Sequence, residues 1–285
     1  MAQTIQESLA QGNKAATSDG HSVEYIGTVE AYNKWAEVYD TDGNFLQALD
    51  TIEMRNLLPR FLSLVQEAYQ ETVAEPASAL KLVDLGCGTG RNTLQLGKAA
   101  PRDAEIIGVD ASPGMLDLAR EALSANEVGE RINLSVYDLL APAPSSLPDS
   151  LDGEEEGASG IISTLVLEHI PVYKFFEGAA RLIRPGGYFL VTNMHAEMGG
   201  ISQAGFVDVK SGKKIRPTSY AHEVGDVVAA ARRAGFEVVA LDELGEERVR
   251  ERRVDEAMVK ELGERAKKWV GVMVWFGVCF RMRAD

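Results

Sequence analysis

Cysteine is scarce in this chain. Two thiols, Cys87 and Cys279, stand among 285 residues. They are too few for a disulfide framework, so a reducing compartment is expected. Long apolar runs are missing too: nothing approaches the roughly 20 residues that span a bilayer. The N-terminus is polar and carries no signal-peptide core. Positive charge is in short supply. Lys and Arg number 29 against 43 Asp and Glu, a net charge of −14, which speaks against a partner recognised through its phosphates. No internal repeat is visible. What remains is 45% hydrophobic and 25% charged, ordinary globular material with enough apolar residues for one large domain. The expectation is a cytoplasmic monomer acting on a small molecule, without nucleic acid, membrane or metal.

One stretch organises the rest. Leu82 to Leu85 reads as a buried strand, Gly86, Gly88 and Gly90 follow at alternate positions, and Asn92 to Ala99 reads as a helix. A strand, a glycine turn and a helix open a nucleotide-binding α/β fold. Glycine lets the backbone bend sharply and approach a ligand with no Cβ in the way, and the helix start turns free N–H groups toward it. A dinucleotide fingerprint would need its last glycine at position 91, where Arg91 stands. The pattern is instead Asp84-x-Gly86-x-Gly88-x-Gly90, with Cys87 as a small residue inside the loop.

Two further strands end in carboxylates. Glu105–Asp110 closes on Asp110, on the order of twenty residues past the glycines, where an acid can accept both ribose hydroxyl protons. Leu134–Leu139 carries Asp138. Carboxylates at Asp84, Asp110 and Asp138 therefore repeat at strand ends, where ligands of open α/β sheets bind. Ser112-Pro113 starts another helix, as N-cap and first turn. Residues 141–160 are rich in Pro, Ser and acid and read as a solvated loop. A fourth strand, Gly160–Leu167, leads into Glu168-His169-Ile170-Pro171, and a fifth, Tyr188–Asn193, is followed by His195. Phe206–Arg216 reads as a hairpin turning at Lys-Ser-Gly. Glu223–Ala234 reads as a helix, Phe236–Leu241 as strand six, Val254 to Trp269 as one face of a charged helix and Val270–Met282 as a last long strand. At the other end, residues 1–22 are expected to form a mobile arm. Tyr25, Tyr32, Trp35 and Tyr39 cluster, the last three on one helical face. Apolar residues from Phe45 to Tyr69 recur at helical spacing, with Pro59 expected to divide two helices.

Over residues 25–285 these motifs resemble the class I S-adenosylmethionine (SAM) methyltransferases. The resemblance implies an α/β, Rossmann-like fold: a seven-stranded mixed sheet with an antiparallel last strand inserted between strands five and six. It implies one domain over 23–285, with a helical cap at 23–75 and a hairpin lid at 196–217. It places the cofactor on Tyr39, Asp84, Gly86, Cys87, Gly88, Gly90, Asp110, Ala111, Met115, Asp138, Leu139 and Leu165, with S-adenosylhomocysteine as product. Substrate would meet Tyr32, Trp35, His169, His195 and Phe206, with His169 and His195 as candidate bases. Aromatic rings suit a sulfonium cation, although the same stripe fits a core. Met115 fits a core equally well, and His169 fits a helix-start histidine bonded to backbone. There is no Asn-Pro-Pro-Tyr element of base-modifying enzymes. The cap, the Val-Leu-Glu-His-Ile element and the hairpin look like those of fungal small-molecule methyltransferases, above all the thiomethyltransferases of reduced gliotoxin-type epipolythiodioxopiperazine dithiols. A thiolate would then attack the SAM methyl. The alternatives are methylation of an oxygen, nitrogen or carbon, as in the ubiquinone pathway, and a SAM-binding regulator without turnover.

Overall fold

A computed structural model describes residues 3–11, 22–41, 43–72, 79–141, 151, 157–242 and 245–284. The expected mobile arm contains a helix, α1 (Ile5–Gln11). Thr4 Oγ1 accepts from the Glu7 N–H at 3.2 Å while Glu7 Oε2 accepts from the Thr4 N–H at 2.8 Å, a reciprocal capping box. Ile5 is buried, and its N–H donates to the Ser219 carbonyl at 2.8 Å. The arm residues 12–21 lie outside the described residues, as does most of the acid-rich stretch 141–160.

The cap begins with β1 (Val23–Ile26), so Tyr25 sits on a strand and not with the helical rings. Then come α2 (Thr28–Trp35) and α3 (Phe45–Thr72). Pro59 lies inside α3 and does not divide it. Leu57, Leu58, Phe61 and Leu62 on either side of the proline are all buried, and that packing outweighs the one intrahelical bond a proline cannot donate.

The main sheet is built from β2 (Lys81–Leu85), β3 (Glu105–Asp110), β4 (Ile132–Val136), β5 (Ala158–Thr164) and β6 (Ile183–Met194), with α4 (Arg91–Ala99), α5 (Pro113–Ser124) and α6 (Val172–Ala180) between them. Its strands lie in the order β4-β3-β2-β5-β6, all parallel. The chain leaves β2 toward β3 and returns to its other side as β5, so the topological switch point falls between β2 and β5. Ligands of doubly wound sheets bind there. After a short helix α7 (Ala196–Gly199), β7 (Phe206–Val207) and β8 (Lys214–Pro217) form the expected hairpin. β1 pairs parallel to β8, Tyr25 opposite Arg216, which makes hairpin and cap one three-stranded sheet.

Past α8 (Val224–Arg233), two short strands, β9 (Phe236–Val239) and β10 (Arg250–Arg253), share one edge of the last strand, β11 (Met273–Met282), whose other edge pairs antiparallel with β6. Among the described residues the sheet is seven strands wide, as expected, with β9 and β10 sharing the last position beside β11. β10 reads Arg-Glu-Arg-Arg and carries no strand signal of its own. Arg250 and Arg252 pair with Glu53 of α3, which is buried. Gly263, at φ +86°, ends the charged helix α9 (Glu256–Leu262), and a 3₁₀ turn, Glu264–Trp269, completes the face expected of a single helix.

Candidate active site

The glycine turn is left-handed at three places: φ is +77° at Gly86, +55° at Gly88 and +86° at Gly90. At Gly86 the need is also spatial, because a Cβ there would lie 2.3 Å from Val166 Cγ2. The turn is held from β3. Gly86 and Cys87 N–H donate to the Val109 carbonyl at 2.7 and 2.9 Å. Asp110 accepts from Gly88 N–H through Oδ2 and from Ser112 N–H through Oδ1, both at 2.8 Å. A carboxylate has about four acceptor sites, so capacity remains for a ligand.

Those residues open onto a cavity of about 480 Å³ lined by Gly86, Gly88, Asp110, Ala111, Asp138 and Leu139, with Tyr32, Tyr39, Leu165 and His169 on its far wall. Its size suits a cofactor, and carboxylates of two successive strand ends face it. Asp138 Oδ1 already accepts from Leu140 N–H at 2.8 Å. Not every expected residue reaches this space. Asp84 is 1% exposed behind the wall. It accepts from Thr93 Oγ1 at 2.6 Å, while its other oxygen, Oδ1, has no partner. Burial pushes its pKa up to about 7. Asp110, which does line the cavity, is the carboxylate that fits the ribose hydroxyls of SAM. Cys87 is buried outside the cavity, and burial pushes its thiol pKa well up, so it is no nucleophile. Gly90 caps α4 and packs on Ala119. Met115 sits in a core with Ala31, Trp35 and Phe206 and lines neither cavity, because the cap lies directly over α5.

A second cavity, about 120 Å³, shares Tyr32, Tyr39 and Leu165 with the first. Its walls include Trp35, Phe45, Met194, Met198, Trp269 and Glu168, with Lys214, Arg265 and Lys268 also contributing. The three cap rings meet each other, with Tyr32–Trp35 at 5.5 Å, Tyr32–Tyr39 at 5.8 Å and Trp35–Tyr39 at 5.3 Å between centroids. Phe206 does not line the cavity. It stacks behind Trp35 at 5.1 Å. Leu165, between the cavities, holds φ at +57°, a backbone state that costs a leucine about 1–3 kcal/mol and recurs at functional sites.

The two histidines part company. His169 Nδ1 lies 3.0 Å from the Thr218 carbonyl and must donate to it, since a carbonyl only accepts. Nε2 is therefore bare and accepts the Tyr32 hydroxyl at 2.8 Å. Burial pushes this imidazole down to about 4, so it is neutral. His195 lies in neither cavity. Its Nδ1 accepts from Glu197 N–H at 3.1 Å, capping α7, and its Nε2 faces Glu251 at 3.1 Å. As a candidate base and substrate contact it is corrected to a helix cap, because the chain turns away from the strand ends at this residue.

Two features escape a reading of the sequence. Glu168, beside His169, is 4% exposed with Oε2 unpartnered, and burial pushes it up to about 8. Arg91, the residue that breaks the dinucleotide pattern, pairs with Asp50 of α3 at 2.8 Å and donates to Thr51 Oγ1 at 2.7 Å. Asp50 is wholly buried and also accepts from Thr192 Oγ1 at 2.5 Å and Trp275 Nε1 at 3.1 Å. An acid beside Leu49 in an otherwise apolar stripe is the signal that points to it. Thr89 Oγ1 donates to Asp40 at 3.1 Å, a second tie between cap and glycine turn.

Among the described residues no group of three or more His, Cys, Asp or Glu could hold a metal ion, and no helix is long and apolar enough to cross a membrane. A family model described as a methyltransferase domain matches residues 82–187. An uncharacterized methyltransferase of Emericella nidulans is 69% identical over 97% of this chain and 99% of its own length. The mitochondrial ubiquinone biosynthesis O-methyltransferase of Mus musculus is 24% identical over 47% of this chain, and the match spans 34% of that protein. Among solved structures, the CcbJ methyltransferase of Streptomyces caelestis aligns with a TM-score of 0.52 at 16% identity, covering 89% of this chain and 98% of that one. Phosphoethanolamine N-methyltransferase 2 of Haemonchus contortus, in complex with SAM, aligns with a TM-score of 0.51 at 14% identity, covering 89% and 60%. At those identities the two structures speak for the fold alone. The near-full-length relative, the matching domain and the glycine turn opening onto a cofactor-sized cavity together place the chain among the SAM-dependent methyltransferases.

Proposed function

We propose that the protein transfers the methyl group of SAM to a thiol of a small molecule held in the aromatic cavity. The observation that carries this reading is the shared wall: a cofactor-sized cavity and a smaller one meet at Tyr32, Tyr39 and Leu165. In that arrangement Asp110 takes the ribose hydroxyls, Asp138 the adenine amine and the Gly86–Gly88 turn the methionine end, with Asp84 buried behind it. The sulfonium supplies the methyl group. Tyr32 and Tyr39 line both cavities, and aromatic rings attract a cation. The protein's part is to align donor and acceptor and keep water out.

Sulfur is favoured over other acceptors because the walls offer at most a mild base: the carboxyl of Glu168, at about 8, suits a thiol better than an alcohol or an aliphatic amine. His195 is elsewhere, and both nitrogens of His169 are engaged on an imidazole pushed down to about 4. Neither histidine can serve as a strong base. A thiol with a pKa of about 8.5 is partly ionised without one, whereas a phenol or amine needs more help. Met194 and Met198 add polarizable surface. A dithiol of the reduced gliotoxin type fits this chemistry. Transfer to oxygen is the second reading, supported by the partial match to the mouse O-methyltransferase. Isotope transfer from labelled SAM to a dithiol, a phenol and an amine separates the two. Label on the dithiol is expected, and label on the phenol or amine alone overturns the sulfur reading.

A further inference from the structure

Burying a carboxyl oxygen without a partner costs about 1–3 kcal/mol, more when it is charged, and native structures do so where function demands it. Glu168 Oε2 is such an atom. The side chain is 4% exposed, it lines the aromatic cavity, and no group of the protein meets that oxygen. Its backbone is fixed on both sides. The Glu168 N–H donates to Asn193 Oδ1 at 3.1 Å, and its carbonyl accepts from Tyr220 N–H at 2.7 Å. The other oxygen, Oε1, lies 3.5 Å from His169 Nε2, which the Tyr32 hydroxyl already occupies.

We infer that Glu168 Oε2 accepts the proton of the acceptor nucleophile. The inference rests on the proposal that the aromatic cavity holds the acceptor. In the step, the S–H proton passes to Oε2 and the sulfur lone pair forms the new S–C bond. The C–S bond of the sulfonium breaks, its electron pair staying with the departing thioether. Oε2 then releases the proton to solvent.

The surroundings suit that role. Burial raises the carboxyl to about 8, with the Met194 N–H and the Asp50 charge as smaller influences of opposite sign. The neutral His169 lies beside it, and Tyr32, Tyr39, Lys214, Arg265 and Lys268 line the same cavity. A base near 8 is matched to a thiol of about 8.5, the condition for efficient proton transfer.

The test compares wild type with Glu168→Gln, which keeps the shape but cannot take a proton. Both receive labelled SAM at pH 8.5, where Glu168 is ionised, with benzyl mercaptan, still mostly protonated at that pH, or thiophenol, fully ionised. With benzyl mercaptan the variant should be slower by about tenfold, the limit set by the thiolate that forms without help. With thiophenol it should match wild type within about threefold, since no proton remains to be moved. S-adenosylhomocysteine affinity, read by calorimetry, should be unchanged. Equal loss on both thiols, or loss on neither, overturns the proposal. If wild type methylates neither thiol but does methylate phenol, the sulfur reading fails. The proton-acceptor assignment is then decided by the same comparison with phenol and p-nitrophenol.

Discussion

Asp110 offers the sharpest test of the cofactor site. Its two oxygens hold Gly88 and Ser112 N–H at 2.8 Å each, and its remaining lone pairs face the cavity. Two ribose hydroxyls donated to a carboxylate are worth about 1.5–3 kcal/mol each. Asp110→Ala removes both, and water entering the space restores part. A net loss of about 2–3 kcal/mol remains, or a rise of about 30- to 150-fold in the Kd of S-adenosylhomocysteine. Asp110→Asn should not rescue it. An amide has a single oxygen for two N–H donors, so its NH₂ group would face either Gly88 or Ser112, donor against donor. Calorimetry of both variants reads the effect, and thermal unfolding confirms that each is folded. An Asp110→Ala variant that is folded and binds within about twofold of wild type refutes the ribose assignment.

Two further outcomes follow. His169→Ala and His195→Ala should slow thiol methylation less than about tenfold, and raising the pH should recover much of the loss for His169→Ala as the thiol ionises by itself. A loss in the range of about 10²–10⁴-fold that persists at high pH would make a histidine the committed base after all. Stability should depend on pH in a particular direction. Burial raises Glu168 from 4.5 to about 8 and Asp84 from 3.8 to about 7, so between those limits the folded, ligand-free chain binds more protons than the unfolded one. Both contributions are fully present below the unfolded pKa values and are lost as pH rises through the folded ones. Below about pH 6.5 the buried His169, held down at about 4, and His222, also lowered by burial, act in the opposite direction. The urea midpoint should therefore fall between about pH 7 and pH 8.5, and Glu168→Gln should flatten part of that fall. A midpoint that climbs over this range would contradict the burial assignment of Glu168.

The parallel half of the sheet was legible because its signals are local. A strand that ends on an acid, a glycine turn and a capped helix each announce themselves within a dozen residues. What escaped depends on partners far away in the chain. Val23–Ile26 is too short to declare itself and becomes a strand only against β8. Arg250–Arg253 looks like a solvated charge run until Glu53 is placed beside it. The helix at Ile5 was readable in principle, since Thr4 and Glu7 spell a capping box, but the surrounding polar composition masked it. At the site, the residue types and their order were visible, whereas the side of the chain each one faces was not. His169 and His195 both follow strands, yet one meets Tyr32 and the other caps α7. Glu168 carried no signal distinguishing it from an exposed acid, because all three residues of its single 3₁₀ turn, Leu167–His169, are buried and so short a turn has no period to read.

The two cavities share Tyr32, Tyr39 and Leu165, and each also has exposed rim residues of its own, Leu140 at the larger and Arg265 at the smaller. On the reading proposed above, spent cofactor can leave and fresh cofactor enter while the acceptor stays in place. For an acceptor with two thiols the expected behaviour is processive: both sulfurs are methylated in one residence, and the singly methylated species does not build up in solution. Binding order would be random, with S-adenosylhomocysteine competing against SAM but not against the acceptor.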